Sequence, residues 1–520
     1  MGVNMIRNLG VFYLARRCST VTALVLAASL LIAGDAPQWG HGQSRNMISL
    51  ETGLPSSFDP ATGRNIKWTA KLGTQCWASP TIAQGKIFIG TNNERPRNLG
   101  NRGDRGVLFC LDEKTGRFIW QILSAKLEGD KYKDWPRVGI VSPATVEDDR
   151  VYILSNRQEL MCLDINGMDN GNDGPFREEG KHMVQSADAP LKPGKTDADI
   201  IWLNDLQKTA GVYPHDSVHG SVIVDGDYLY VNSANGVDKT HANVPCPDAP
   251  SLLVFDKKTG RLVAMDEEFM GRRMFHATWA APSIGLIGDR KLVFFGGGDG
   301  VCYAFEPVVS LKNEEVQALR NVWRFDCDPT GPKEDLFRFS RNRKEGPSII
   351  KSMPVYHDGR VYVSAGGDIW WGKQKSWLKC IDATGSGDIT SKGEIWSFAM
   401  DTHCCSTPSI HDGLVYIADC GKNVHCLDAA TGLRYWSHEA EGAIWGSTMV
   451  ADGKVYFGTR RGDFWILAAG KEKKVLCSVK LDGSMSSTPA VANGVVYVST
   501  MKTLYAIAEG GQGVEQQNGK

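Results

Sequence analysis

Short apolar runs, separated by turn residues, repeat along most of the chain. The first full unit reads WASPTIAQGKIFIGT…GVLFCLDEKTGRFIW over residues 77–120, and a later one reads CSTPSIHDGLVYIADCGKNVHCLDAATGLRYW over residues 405–436. Each unit has a small-residue-Pro step, a short strand, a Gly-containing turn and a second strand of the VYV type. A third strand ending in Asp follows, then TG, then Trp. The strand cores are β-branched and aromatic, which suits a pleated surface packed on one face. The pairs QG, DG and NG between the first two strands are hairpin signals. Looser copies occupy residues 142–164, 220–260, 279–305, 353–382, 445–467 and 487–507, which makes eight in all.

A three- or four-stranded sheet cannot bury both its faces alone, so units of this kind pack radially. The pattern therefore predicts an all-β, eight-bladed propeller of four-stranded blades over residues 65–508. The last copy lacks a fourth strand. NIKWTAKL, residues 65–72, has the Trp-bearing pattern of that strand and lies before the first copy. It is expected to complete blade eight and close the ring. Residues 35–64 read as an extended lead-in and 509–520 as a disordered tail.

CLDEKTGRFIW and CLDAATGLRYW match, apart from Cys for Ala, the Trp-docking motif Ala-x-Asp-x-x-Thr-Gly-x-x-x-Trp. From about Asn65 to Ala508 the chain resembles the quinoprotein (PQQ-type) propeller family. That family holds PQQ-dependent alcohol dehydrogenases with calcium and also non-enzymatic BamB-like outer-membrane assembly proteins. The motif implies the fold and not the chemistry, because both branches carry it; the BamB-like branch is the reading preferred. The docking residues would be Trp68, Trp120, Trp202, Trp323, Trp396 and Trp436, with Ala264 in that place in blade three.

Charge changes little in this picture. With 520 residues and a formal net charge of -1, the chain offers no basic face for nucleic acid. Its N-terminus differs from the rest: Arg7, Arg16 and Arg17 precede STVTALVLAASLLIAG, which reads as a signal segment over residues 1–34 with small residues Ala33, Gly34 and Ala36 as cleavage sites. Retention as an N-terminal anchor is the alternative and the only route to membrane contact. Export, to a periplasmic or other extracytoplasmic space where disulfides are allowed, is the expectation.

Aligning the copies sorts the cysteines. Cys110, Cys162, Cys380 and Cys426 precede the Asp of the third strand by two, where other copies hold Val254, Ala304 and Ala506. That column is small and apolar packing. A second column, at the start of each innermost strand, holds Trp77, Ile140, Val218, Trp279, Lys351, Cys405, Trp445 and Ser486. Three residues upstream lie Thr74, Arg137, His215, His276, Ser348, Thr402, Gly442 and Gly483, with His403 between the columns and His219 just after. Propeller topology places these on one face, together with three long inserts at 92–106, 235–250 and 367–377. Long loops on a rigid scaffold commonly carry binding sites. Arg137, Lys351, His215, His276, His403 and the tryptophans suit a small planar or anionic ligand; a solvated funnel is the plainer reading.

Three further features carry candidate chemistry. The resemblance implies, for an enzyme, a vicinal disulfide at Cys404–Cys405 beneath the quinone, Trp279 or Trp445 stacking on it, and Asp401 as base. Yet in those enzymes the pair precedes its strand by several more residues, and no calcium-ligand pattern lies beside Asp401. Second, DINGMDNGNDGPFREEG at 164–180 places Asp169 and Asp173 at two positions of a calcium loop, but Gly171 and the glutamates miss theirs, so a structural calcium or a plain turn-rich loop fits. Third, His215 and His219 in HDSVH are four apart; they read as channel-mouth polar groups, with metal binding as the minor alternative. The expectation is a ligand- or partner-binding propeller rather than an enzyme, with no certain cofactor and PQQ and calcium as candidates. A PQQ-dependent oxidoreductase and an envelope-assembly scaffold with a protein partner are the two rivals.

Overall fold

The computed structural model describes residues 34–216, 220–311 and 314–513. The apolar N-terminal segment with Cys18, the positions Val218 and His219, and the tail residues 514–520 lie outside them. Eight antiparallel sheets follow one another along the chain and form an eight-bladed propeller. Blade one is Thr81–Ala83, Lys86–Asn92, Arg105–Asp112 and Phe118–Ala125, from the inside outward. Blade six repeats it as Ser409–His411, Leu414–Ala418, Asn423–Asp428 and Arg434–Glu439. The hairpin signals act as expected: Gln84 and Gly85 both have positive φ, 52° and 74°, the geometry that matches the twist of tightly joined strands.

Closure follows the sequence. Ile66–Lys71 pairs antiparallel with Thr503–Ile507, placing Trp68 opposite Ala506. The first and last parts of the propeller are thus one sheet, which leaves the ring without an open seam.

The docking tryptophans stitch each blade to the next. Trp68 Nε1 donates to the carbonyl of Glu113 (3.0 Å), Trp120 to Ile165 (3.0 Å) and Trp202 to Lys257 (3.2 Å). Trp323, Trp396 and Trp436 donate likewise to Ala383, Ala429 and Gly470. The TG glycine lies flat on the neighbouring indole. A Cβ on Gly116 would fall 2.5 Å from Cε3 of Trp68, and Gly116 also has φ +71°. The motif thus couples a left-handed turn, a close backbone approach and a buried indole in one step. The cysteine column packs as read: Cys110, Cys162, Cys380 and Cys426 are buried, in separate blades.

The lead-in does more than extend. It crosses the inner strands of the blades in order. Ala36 accepts from Ile82 N, Pro37 from Val146 N, Gln43 from Ile284 N, Ser44 from Tyr356 N and Met47 from Val450 N. Side chains fill the gaps: Gln43 donates to Val224, Asn46 accepts from Ile410 N and Glu51 from Asn493 N. Arg45 is fully buried, and its guanidinium donates to the carbonyls of Trp39, Ser221, Val222 and Pro282. These contacts fall near the turns between first and second strands. The segment therefore closes that end of the central channel and leaves the opposite face for the long inserts.

Candidate ligand pocket

The channel holds a cavity of about 540 Å³ whose floor includes Trp39 of the lead-in. That size is in the range of small-molecule sites. Six residues of the predicted channel column line it: Trp77, Trp279, Lys351, Cys405, Trp445 and Ser486. Ile140, of the same column, instead packs in the core between blades one and two. Two inserts reach over the mouth, one bringing His241 and the other Ile369, Trp370 and Trp371.

The wall is a continuous aromatic run. Trp77 and Trp445 lie 5.9 Å apart, Trp445 meets Trp370 edge-on at 5.9 Å, and Trp370 meets Trp279 edge-on at 6.0 Å. Edge-to-face packing leaves ring faces for other groups. Lys351 Nζ sits 4.9 Å from the centre of Trp279 and 5.3 Å from that of Trp370, while the Arg460 guanidinium lies over both Trp77 (4.8 Å) and Trp445 (4.3 Å). Cations on indole faces gain from the ring quadrupole.

Beneath the mouth a buried polar chain runs Lys351–Asp368–His276–His215. Lys351 Nζ is 2.7 Å from Asp368 Oδ2, and His276 Nδ1 is 2.9 Å from the same oxygen. The backbone N–H groups of Trp370 and Trp371 fill Oδ1, so the carboxylate also fixes the aromatic insert. His276 Nε2 is 3.0 Å from His215 Nε2, and His215 Nδ1 is 2.7 Å from the Val237 carbonyl. Burial alone would raise Asp368, but Lys351 and His276 hold it well below the usual carboxylate range. Burial, with His276 and His241 beside it, pushes His215 down to about 2. Burial raises the neighbouring Asp216 to about 6.

The adjacent cysteines part company. The Cys404 thiol turns into the blade core, 3.1 Å from the Ala418 carbonyl, and burial pushes it up to about 12. Cys405 faces the pocket, with Cys420 Sγ 3.9 Å away. The Cys420 thiol hydrogen bond, with Lys351 nearby, holds Cys405 below the ordinary thiol value. The structure thus brings Cys405 to Cys420 rather than to Cys404.

Other candidates are placed elsewhere. Arg137 is exposed and paired with Glu94 at 2.9 Å, outside the cavity lining. Asp401 is exposed and lies outside the cavity lining. His403 is buried behind the lining, pushed down to about 4 by burial and by Lys351 and Arg343. The first insert keeps its basic groups away from the cavity: Arg97 lies over Phe109 and Phe118. Asp169 is exposed and paired with Lys195, and exposed Asp173 accepts from Asn170. Among the described residues no group of three potential ligands forms around them. The column alignment missed Asp368, His241, Cys420 and Arg460: His241 lines the cavity, and the other three contact residues that do. The first two sit in inserts that have no repeat register, and the signal available for them was the inserts' length alone.

The donors do not suit a calcium-bound quinone. Calcium takes six to eight oxygen ligands. Here the lining holds one carboxylate, Asp216, with a fully engaged Asp368 buried behind it, and the atoms that converge are imidazole nitrogens. The cysteine pair expected under a quinone has only one member facing the cavity.

The fold and pocket define a PQQ-like propeller with an aromatic central cavity. A family model described as outer membrane protein assembly factor BamB matches residues 51–168, 374–471 and 424–520, slightly more than half the sequence, and the chain belongs to this PQQ-like family. The sequence matches no curated protein. Among solved structures, the quinohemoprotein alcohol dehydrogenase from Comamonas testosteroni is similar, with 13% identity, a TM-score of 0.59, and coverage of 94% of this chain and 82% of that one. A europium-containing methanol dehydrogenase is similar at 13% identity and TM-score 0.56, covering 91% of this chain and 98% of its own. At such identities the likeness is one of fold alone.

Proposed function

We propose that this chain is an exported binding propeller whose central cavity takes a small, flat, anionic ligand. One observation carries the reading: a cavity closed at one end by residues 35–52 and walled by tryptophans that carry Lys351 and Arg460 on their faces. Flat rings gain from indole faces, and a negative group gains from cations in a site shielded from water. Export is supported by the N-terminal arginines and apolar run. Among the described residues no helix is long and apolar enough to cross a membrane. Asp35 and Ala36 bond to blade one, which supports cleavage at Ala33 or Gly34 over cleavage after Ala36.

The test is a tryptophan-fluorescence and calorimetric titration of the full chain with two flat anions, pyrroloquinoline quinone and flavin mononucleotide, each with and without Ca²⁺. Saturable binding of at least one, independent of Ca²⁺ and weakened about tenfold or more by Trp445→Ala or Lys351→Met, is expected. Binding of neither supports a protein partner on the outer surface instead. Binding of the quinone only with Ca²⁺, with dye reduction on adding an alcohol, makes the chain an oxidoreductase.

A further inference from the structure

We propose that His215, His241 and His276 bind one divalent transition-metal ion of the Zn²⁺ type, with a coordination position left open to the cavity. The inference stands apart from the organic ligand and is tested without one. The three rings each present one nitrogen, and these atoms lie within 4.8 Å of one another. Imidazole nitrogens in threes suit zinc and its neighbours rather than calcium or magnesium.

The hydrogen-bond bookkeeping makes the case sharper. The Val237 carbonyl can only accept, so the proton of His215 is on Nδ1. Asp368, which also takes Lys351, accepts from Nδ1 of His276 in the same way. The two Nε2 atoms then point lone pairs at each other across 3.0 Å. Two acceptors at that distance need a positive centre between them, either a metal ion or a second proton on one ring. The outer partners are those that metal-bound histidines have: a carboxylate on one ring and a backbone carbonyl on the other, each fixing the tautomer that frees Nε2. On the same side, Asp216 Oδ2 lies 3.5 Å from His215 Nε2 and supplies a negative oxygen that suits a cation.

His241 completes the group at a conformational cost. It adopts φ +54°, a left-handed conformation that non-glycine residues occupy at a price when the surroundings demand it. Asp238 holds that turn, accepting from the N–H of Thr240 (2.9 Å) and from Asn243 Nδ2 (3.2 Å). His241 and His276 both line the cavity, as does Asp216. Three protein ligands, two of them at the wall of an open cavity, are the arrangement of a site that binds an exogenous group, whereas a structural zinc has four.

The experiment is metal binding by the full chain. The protein is stripped with chelator, dialysed, and titrated with Zn²⁺ against a competing indicator; Co²⁺ is substituted for its visible spectrum. One ion per chain is expected, with a nitrogen–oxygen Co²⁺ spectrum lacking thiolate charge-transfer bands. His241→Ala, in a surface insert, should weaken binding about 100-fold or more, and His276→Gln should abolish it. Asp368→Asn should weaken it about 10- to 100-fold while the ligands remain, which a site elsewhere would not feel. Circular dichroism confirms that each variant is folded. The proposal is overturned if the folded wild type binds no stoichiometric metal, which leaves a shared proton between the rings. It is equally overturned if His241→Ala binds as tightly as the wild type, or if the Co²⁺ spectrum shows thiolate ligation from Cys405 and Cys420.

Discussion

Two sets of tryptophans divide the molecule. Trp68, Trp120 and Trp323 lie between blades, fully buried, each with its indole N–H on a carbonyl of the next blade. Trp445 touches both Trp77 and Trp370, all three line the cavity, and Trp370 is 48% exposed. The residue type is the same, but the repeat register differs. At the end of the fourth strand an indole contributes to folding. At the start of the first strand, or in an insert above it, an indole borders the cavity and carries a cation on its face.

The largest effect separates these two sets directly. Trp120→Ala empties a sealed site and strands the Ile165 carbonyl, so it should cost about 3–5 kcal/mol, read as a lower urea midpoint. Trp445→Ala should cost about 1 kcal/mol or less, because the ring borders a cavity already, while it should remove most ligand affinity. If Trp445→Ala unfolds the protein as readily as Trp120→Ala, the inner ring is scaffold and the division fails.

The next effect isolates the docking contact from the backbone turn. Gly116→Ala puts a methyl 2.5 Å from Trp68 at φ +71°, whereas Gly413→Ala, at φ +72°, meets nothing within 4 Å. Gly413→Ala should cost about 1 kcal/mol for conformation alone. Gly116→Ala should cost about 2–3 kcal/mol, the excess being displacement of the indole. Equal losses in thermal unfolding would mean that the glycine serves only the turn.

A buried histidine of the scaffold contrasts with those of the pocket. His182 Nε2 meets the Glu159 carboxylate at 2.8 Å, so the partner of this nitrogen is supplied within blade two. Burial would raise Glu159, but His182 and Arg157 hold it at about 2, below its ordinary 4.5. A carboxylate depressed in the folded state contributes stability above its unfolded value and loses it as pH falls toward the folded one. Stability should therefore drop between about pH 4.5 and 2 by about 2 kcal/mol, and Glu159→Gln should flatten that segment of the curve. An unchanged slope in the variant would assign the acid transition to other groups.

The fold was legible because it repeats. Eight copies of one pattern located the strands, the docking tryptophans and the closing strand Ile66–Lys71 without any long-range information. The same register located the aromatic and cationic part of the pocket: Trp77, Trp279, Lys351, Cys405, Trp445 and Ser486 are aligned positions that packing did not explain. What escaped has no register. Asp368 and His241 lie in inserts, and the lead-in that closes the channel occurs once, its contacts falling on eight blades far apart in sequence. Arg137 misled for the opposite reason. It was in register, but the loop around it turns the side chain outward to Glu94.

The smallest effect concerns the adjacent cysteines, where one residue step separates scaffold from pocket. Successive residues in an extended segment point opposite ways, so Cys404 enters the blade core and Cys405 the channel. Burial pushes Cys404 up to about 12, which leaves almost no thiolate at neutral pH. Cys405 is held below the ordinary thiol value by the Cys420 hydrogen bond and Lys351. After mild reduction, iodoacetamide at pH 8 should therefore modify Cys405 at least about tenfold faster than Cys404, as peptide mass spectrometry of the folded protein will show. Lys351→Met removes the nearby cation, raises Cys405 and should slow its labelling, leaving Cys404 unchanged. Labelling of Cys404 at the rate of Cys405 would mean that this strand start does not hold its alternation, and the border between packed core and binding cavity would have to be redrawn at that step.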